Sequence, residues 1–177
     1  MPKATTPTGV LIPINEAYII IPGYGKVVMN NLPEVGDSKA AVYNSESIIG
    51  RSSPLHTYHY SDTRIISLTL HLYVVEQADI QRNIDIKRAI ESCLYPRDGS
   101  GGAPFIPPPI CQIKIGQFLA TSPICCSLVN CSVRASSDVA WDETTLCPYK
   151  MDIDMTWWKV YNSPDLPSQT RIISTGR

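Results

Sequence analysis

Arg64-Ile65-Ile66-Ser67-Leu68-Thr69-Leu70-His71-Leu72-Tyr73-Val74-Val75 alternates without a break. Ile66, Leu68, Leu70, Leu72 and Val74 fall on one side of an extended chain, and Ser67, Thr69, His71 and Tyr73 on the other. Strict alternation over this length marks a strand with one buried and one polar face. Residues 150–161 repeat the pattern, with Met151, Ile153, Met155 and Trp157 alternating with Asp152, Asp154, Thr156 and Trp158. Between them, residues 110–116 put Cys111, Ile113 and Ile115 in register, and residues 125–134 are expected to place Cys125, Val129, Cys131 and Val133 on one face. Upstream, Ala17-Tyr18-Ile19-Ile20-Ile21 closes at Pro22-Gly23 and is followed by Lys26-Val27-Val28-Met29, the pattern of a hairpin.

One segment carries a helical period instead. Over residues 79–94, Ile80, Ile84, Ile90, Cys93 and Leu94 recur at spacings that fit one helix face, while Arg82, Asp85, Lys87, Arg88 and Glu91 supply a wet face. Asp79 is the expected N-cap, and Pro96 stops the helix. Next come a glycine-rich stretch, Gly99-Ser100-Gly101-Gly102, and Pro107-Pro108-Pro109, a loop long enough to suggest function. The expected architecture is mainly β: two packed antiparallel sheets, as a sandwich or barrel, with one flanking α-helix. Residues 17–161 form the domain, residues 1–16 an N-terminal extension, and residues 162–177 a C-terminal arm.

Composition narrows the function. The 177 residues suit one domain, and such a chain buries about 70% of its unfolded surface without covalent staples. Fifteen basic and 16 acidic side chains give a net charge of −1, which argues against a dedicated nucleic-acid binder. No apolar run approaches the roughly 20 residues of a membrane helix, and the first residues lack the apolar core of a secretory signal. Without that signal, the six cysteines are expected to be reduced thiols that pack as small hydrophobes.

The sequence offers little chemistry. His56 and His59 have H-x-x-H spacing, but the stretch after Pro54 reads as a turn leading into a strand, with no third ligand nearby. No C-x-x-C occurs, and adjacent Cys125 and Cys126 point to opposite faces of a strand. Asp152 and Asp154 share a polar strand face with Thr156, which suits solvation better than an acid/base pair. The glycine-rich stretch lacks the lysine of a P-loop. No catalytic residue, cofactor or metal is expected. Trp158, placed outward beside Trp157, is a modest interface signal.

One stretch carries a family likeness. Tyr43-Asn44-Ser45-Glu46-Ser47-Ile48-Ile49-Gly50-Arg51-Ser52-Ser53-Pro54 leads through Tyr58 into the alternating strand. The helix, Tyr95-Pro96, the triple proline, a strand with Cys111, Ile113 and Ile115, and a late strand from Met151 to Trp157 follow in order. This succession resembles tail-tube-like baseplate proteins of contractile bacteriophages and related injection machines, the tube-initiator or hub-tube family. The resemblance covers about residues 17–161 and rests on order and character more than on one rigid motif. It implies a structural virion protein of the tail or baseplate, assembled in the host cytoplasm, with copies of itself in a hexameric ring as first partners. Neighbouring tube and baseplate proteins are the others, and DNA passes through without specific binding. On the resemblance, Gly50, Arg51, Pro54 and Tyr58 form the motif turn that shapes the fold or a subunit contact. Asp152 and Asp154 would line the lumen and repel passing phosphates. The extra ends favour a tube-initiating ring over the tube subunit, and a head-proximal cap stays open as a third position. Two other classes stay open. One is a small β-sandwich binding module using Pro104–Pro109 and Trp158; the other is a thiol or metal enzyme using Cys125, Cys126 and His56 or His59.

Overall fold

The computed structural model describes residues 16–29, 31–97, 106–135 and 138–161. Expectations for the N-terminal extension, the glycine-rich stretch and the C-terminal arm fall almost wholly outside these residues. The elements are β1 (Ala17–Ile21), β2 (Gly25–Val28), β3 (Glu34–Ser38), β4 (Ala41–Glu46), β5 (Leu55–Ser61), β6 (Ile65–Tyr73), α1 (Gln77–Ser92), β7 (Cys111–Ile115), β8 (Ile124–Arg134) and β9 (Lys150–Lys159). Two antiparallel sheets result. Seven strands run in the order β2-β1-β7-β8-β9-β6-β3, and β4 pairs only with β5.

The two alternating stretches are neighbours. β6 and β9 pair with Ile66 opposite Trp157, Leu68 opposite Met155, Leu70 opposite Ile153 and Leu72 opposite Met151. All eight of these side chains are buried, and one core cluster joins them to Ile19 of β1, Ile113 of β7, Cys126 of β8 and Ile90 of α1.

The large sheet is curled. Residues 29–33 alone connect β2 and β3, although these strands occupy opposite edges. Six chain steps from Val28 to Glu34 span at most roughly 22 Å. Seven flat strands would separate the edge strands by roughly 29 Å. The edges must therefore bend toward each other, which wraps the apolar face around a shared core. No ladder joins β2 to β3, so the sheet stops short of a barrel. The second sheet does not pack as a sandwich partner: every residue of β5 is exposed, and so is all of β4 except half-buried Val42.

Three further expectations change in the structure. Cys125 and Val129 do not share the inward face with Cys131 and Val133. Ile124, Cys126 and Leu128 point inward, the register then skips Val129, and Cys131 and Val133 pack on the core beyond it. A β-bulge inserts one residue and so reverses the parity of everything after it. The helix begins earlier than residue 79: Glu76 is the N-cap, and Asp79, in the first turn, accepts the backbone N–H groups of Val75 and Glu76 at 3.1 Å each. Those bonds hold the Asp79 carboxyl below its ordinary range. The buried helix face is Ile80, Asn83, Ile86, Ala89 and Ile90, with Ile84 only half-buried. Asn83 can sit inside because its amide donates to the Tyr73 carbonyl at 3.1 Å, tying α1 to the end of β6.

Polar contacts secure the edges. Arg64 donates to both carboxylate oxygens of Asp37, at 2.8 and 2.6 Å, and to the Leu119 carbonyl at 3.2 Å. One side chain thus ties edge strand β3 to the β7–β8 connection. Gly36 lies opposite Ser67, where a Cβ would meet the Ser67 hydroxyl at 2.6 Å, so a larger residue there requires the serine side chain to turn aside. Arg97 donates to the Pro22 carbonyl at 2.8 Å, and its backbone pairs with that of Ile106.

Trp157 is fully buried at one end of the apolar row between β6 and β9, and Trp157→Ala should cost about 3–5 kcal/mol in urea unfolding. Arg64 holds the Asp37 carboxyl below its ordinary value, so the unfolded chain takes up this proton more readily than the fold. The stability from this pair is complete above about pH 4, where unfolded aspartate is ionised, and is lost as pH falls through the lowered folded value. Asp37→Asn should flatten the acid side of a melting-temperature profile recorded from pH 5 down to pH 2.5; an unchanged profile would mean that other carboxylates carry it.

Candidate functional site

The residues singled out by sequence fall on two separate sheets. Gly50, Arg51 and Pro54 lie in the β4–β5 connection, and Tyr58 lies on β5. Gly50 adopts φ +90°, which a side chain would strain, and Arg51 donates its backbone N–H to the Ile48 carbonyl at 3.2 Å. The turn is therefore a built feature. Tyr58 meets Tyr43 of β4 edge to face with ring centroids 5.7 Å apart, and its hydroxyl lies 2.8 Å from that of Ser61.

This hairpin is unusual in what it leaves uncovered. Tyr43, Ile48, Ile49, Leu55, Tyr58 and Tyr60 are all exposed, Ile49 completely. A two-stranded hairpin is marginal in water by itself. Its exposed side chains form a surface suited to a partner. The turn after Pro54 is shorter than expected, since strand β5 begins at Leu55, and His56 and His59 are both exposed on it as a surface pair entering a strand. Three residues of extended chain separate their Cα atoms by roughly 10 Å. Among the described residues, no group of three or more His, Cys, Asp or Glu side chains is placed to hold a metal ion.

Asp152 and Asp154 occupy the outer face of β9, on the polar side that their alternation requires. Neither is a bare charge. Asp152 lies 2.6 Å from His71 Nδ1 and 3.6 Å from Lys150 Nζ. Asp154 accepts from the Thr69 hydroxyl at 2.7 Å and pairs with Arg134 at 2.9 Å. The outer face of β6, β8 and β9 is thus a mixed ionic row, with Glu34 of β3 at 4.0 Å from His71 Nε2. Trp158 stands half-exposed on the same face, opposite Ile65 and Ser127. The two groups of residues are therefore a polar sheet face and an apolar hairpin, not one pocket.

Sequence reasoning missed three features. Strand β3 is short and carries no clear alternation. Strand β5 has both faces in solvent, which erases the period-two signal. A cleft of about 460 Å³ lies between α1 and the adjoining ends of β8 and β9, lined by Ile84, Lys87, Arg88, Val133, Cys147 and Met151. Ile84, which the period places on the apolar helix face, is half-buried because it lines this cleft. Among the described residues, no helix is long and apolar enough to cross a membrane.

No family model matches the chain, and no curated protein matches it.

Asp154 separates two kinds of polar contact. Its bond to partly buried Thr69 should carry about 1 kcal/mol, and its pair with the exposed Arg134 less than about 0.5 kcal/mol. In urea unfolding, Asp154→Ala should therefore cost clearly more than Arg134→Ala; equal costs would assign the stabilisation to the ion pair.

Proposed function

We propose that this chain is a structural virion protein that forms a ring of a contractile phage tail, at the baseplate end where the tube begins. One observation carries the reading: among the described residues the large sheet ends on two edges without a further strand, β2 and β3, beside an exposed apolar hairpin. Free edges are liabilities in a monomer and templates for pairing in an assembly. β2 carries Lys26 and β3 carries Glu34, so β2 of one copy against β3 of the next brings opposite charges together and continues the sheet. Head-to-tail pairing of this kind closes into a ring when the rotation per subunit permits. The hairpin, with Tyr43 and Tyr58, then covers its apolar side chains on a neighbour. The outer polar row of Asp152 and Asp154 faces the lumen on this reading, and its carboxylates act through a balanced ionic row instead of as an isolated negative stripe.

A small binding module is the second reading. The cleft beside α1 has the volume of a small-molecule site and an apolar floor under Lys87 and Arg88. It lies away from Trp158, the residue first considered for that role.

Immunogold electron microscopy with an antibody to this chain, on tailed particles from the source, tests the proposal. Label at the distal tip of the tail is expected; absence of label from every particle overturns it in favour of the binding module. A paired substitution adds a second readout. Tyr43→Ser with Tyr58→Ser should cost the isolated chain about 1 kcal/mol, the value of one aromatic pair, yet abolish incorporation into particles. Normal incorporation would remove the hairpin from the assembly contact.

A further inference from the structure

Three of the six cysteines meet in the core. Cys93 caps the C-terminus of α1, Cys111 opens β7, and Cys126 of β8 lies directly opposite Cys111. All three are fully buried. The Cys111 thiol lies 3.7 Å from the Cys93 sulfur, and the Cys93 thiol also reaches the Ala89 carbonyl at 3.3 Å. We propose that Cys93 and Cys111 are a modification site: a dithiol that closes to a disulfide when the folded protein meets a hydroperoxide.

The geometry favours this pair. A disulfide needs sulfurs about 2.05 Å apart, so a small rotation of either side chain, with slight settling of the helix end, closes the gap. The bond would fasten the last turn of α1 to the sheet. It would also enclose the chain from Leu94 to Ile110, whose ends are already drawn together where Arg97 pairs with Ile106. Oxidant entry is possible because Cys93 sits at a helix terminus, where local opening is least costly. The Cys111 thiol donates toward the Cys93 sulfur and lowers the Cys93 value, which makes Cys93 the readier nucleophile. Burial raises both the Cys111 and the Cys126 thiols, so it is the 3.7 Å approach of Cys111 to Cys93 that selects the pair.

The step balances with hydrogen peroxide as oxidant. The Cys93 thiolate attacks one peroxide oxygen, the O–O bond breaks, and the departing hydroxide takes a proton to leave as water, giving a sulfenic acid. The Cys111 sulfur then attacks the Cys93 sulfur, its own proton leaves, and the hydroxyl departs as a second water. In sum, two thiols and one peroxide give one disulfide and two waters. A reducing thiol reverses it by exchange.

Trypsin separates the three cysteines cleanly, since cleavage after Arg88, Arg97, Lys114 and Arg134 puts Cys93, Cys111 and Cys126 on different peptides. The full-length folded protein is treated with hydrogen peroxide, alkylated, digested without reductant and mapped by mass spectrometry. The expected product links peptide 89–97 to peptide 98–114, and thermal melting rises by roughly 6–12 °C until dithiothreitol restores it. Cys126→Ser should keep the link, and Cys111→Ser should lose it. Free, alkylated Cys93 and Cys111 after treatment, or a link from 98–114 to 115–134 instead, would overturn the proposal. The readouts do not involve phage particles, so they stand apart from the assembly reading.

Discussion

The pairing of β6 with β9 is the constraint on which the rest of the molecule depends. Four apolar pairs from these strands, ending on Trp157, meet on one face, while Thr69–Asp154 and His71–Asp152 meet on the other. A slip of either strand by one residue would turn its four buried side chains outward, so the register is set by burial and checked by polar bonds on the opposite face. With this ladder in place, β8 adds along β9 and β3 along β6. The helix then has a surface on which to place Ile86, Ala89 and Ile90.

The same ladder explains why the sheet curls. A single apolar face in an open sheet needs a cover, and one helix is too narrow to cover seven strands. Bending the edges inward lets the strands cover one another, and the short β2–β3 connection enforces that bend. The bulge at Val129 serves it locally, since bulges bend a strand and sharpen its twist. What the curl cannot do is satisfy β2 and β3 with each other. Among the described residues it leaves β2 and β3 as edges without a further strand, and the hairpin emerges from the β3 side with its large apolar side chains exposed. A core completed inside and pairing left unfinished outside is the physical content of the proposed assembly role. Fold by itself does not assign that role.

The core and the outer surfaces also differ in chemistry. Buried thiols gather where α1, β7 and β8 converge, and the outer row is built of opposed charges at hydrogen-bonding distance. Most of those outer pairs are solvent-accessible and contribute little to stability individually. Their arrangement matters more to what can approach the sheet than to whether it folds.

Much of this was legible in the sequence. The alternation at residues 64–75 and 150–161 determined two half-buried strands, their inward faces and the outward place of Asp152, Asp154 and Trp158. Pro22-Gly23 marked the first hairpin, and the period of Ile80 and Ile90 marked the helix. These signals are local, because a side chain's face follows from its backbone period alone. The tertiary structure decided the rest. Strand order, the pairing of β6 with β9, the open seam and the meeting of Cys93 with Cys111 join residues distant in the chain. No local period encodes such contacts. The parity change at Val129 and the exposed strand β5 were hidden for a related reason: one depends on a single unpaired residue in a ladder, the other on the absence of a buried face. The sequence determined which side of each strand is apolar; only the packing of the whole chain decided which strands share that side.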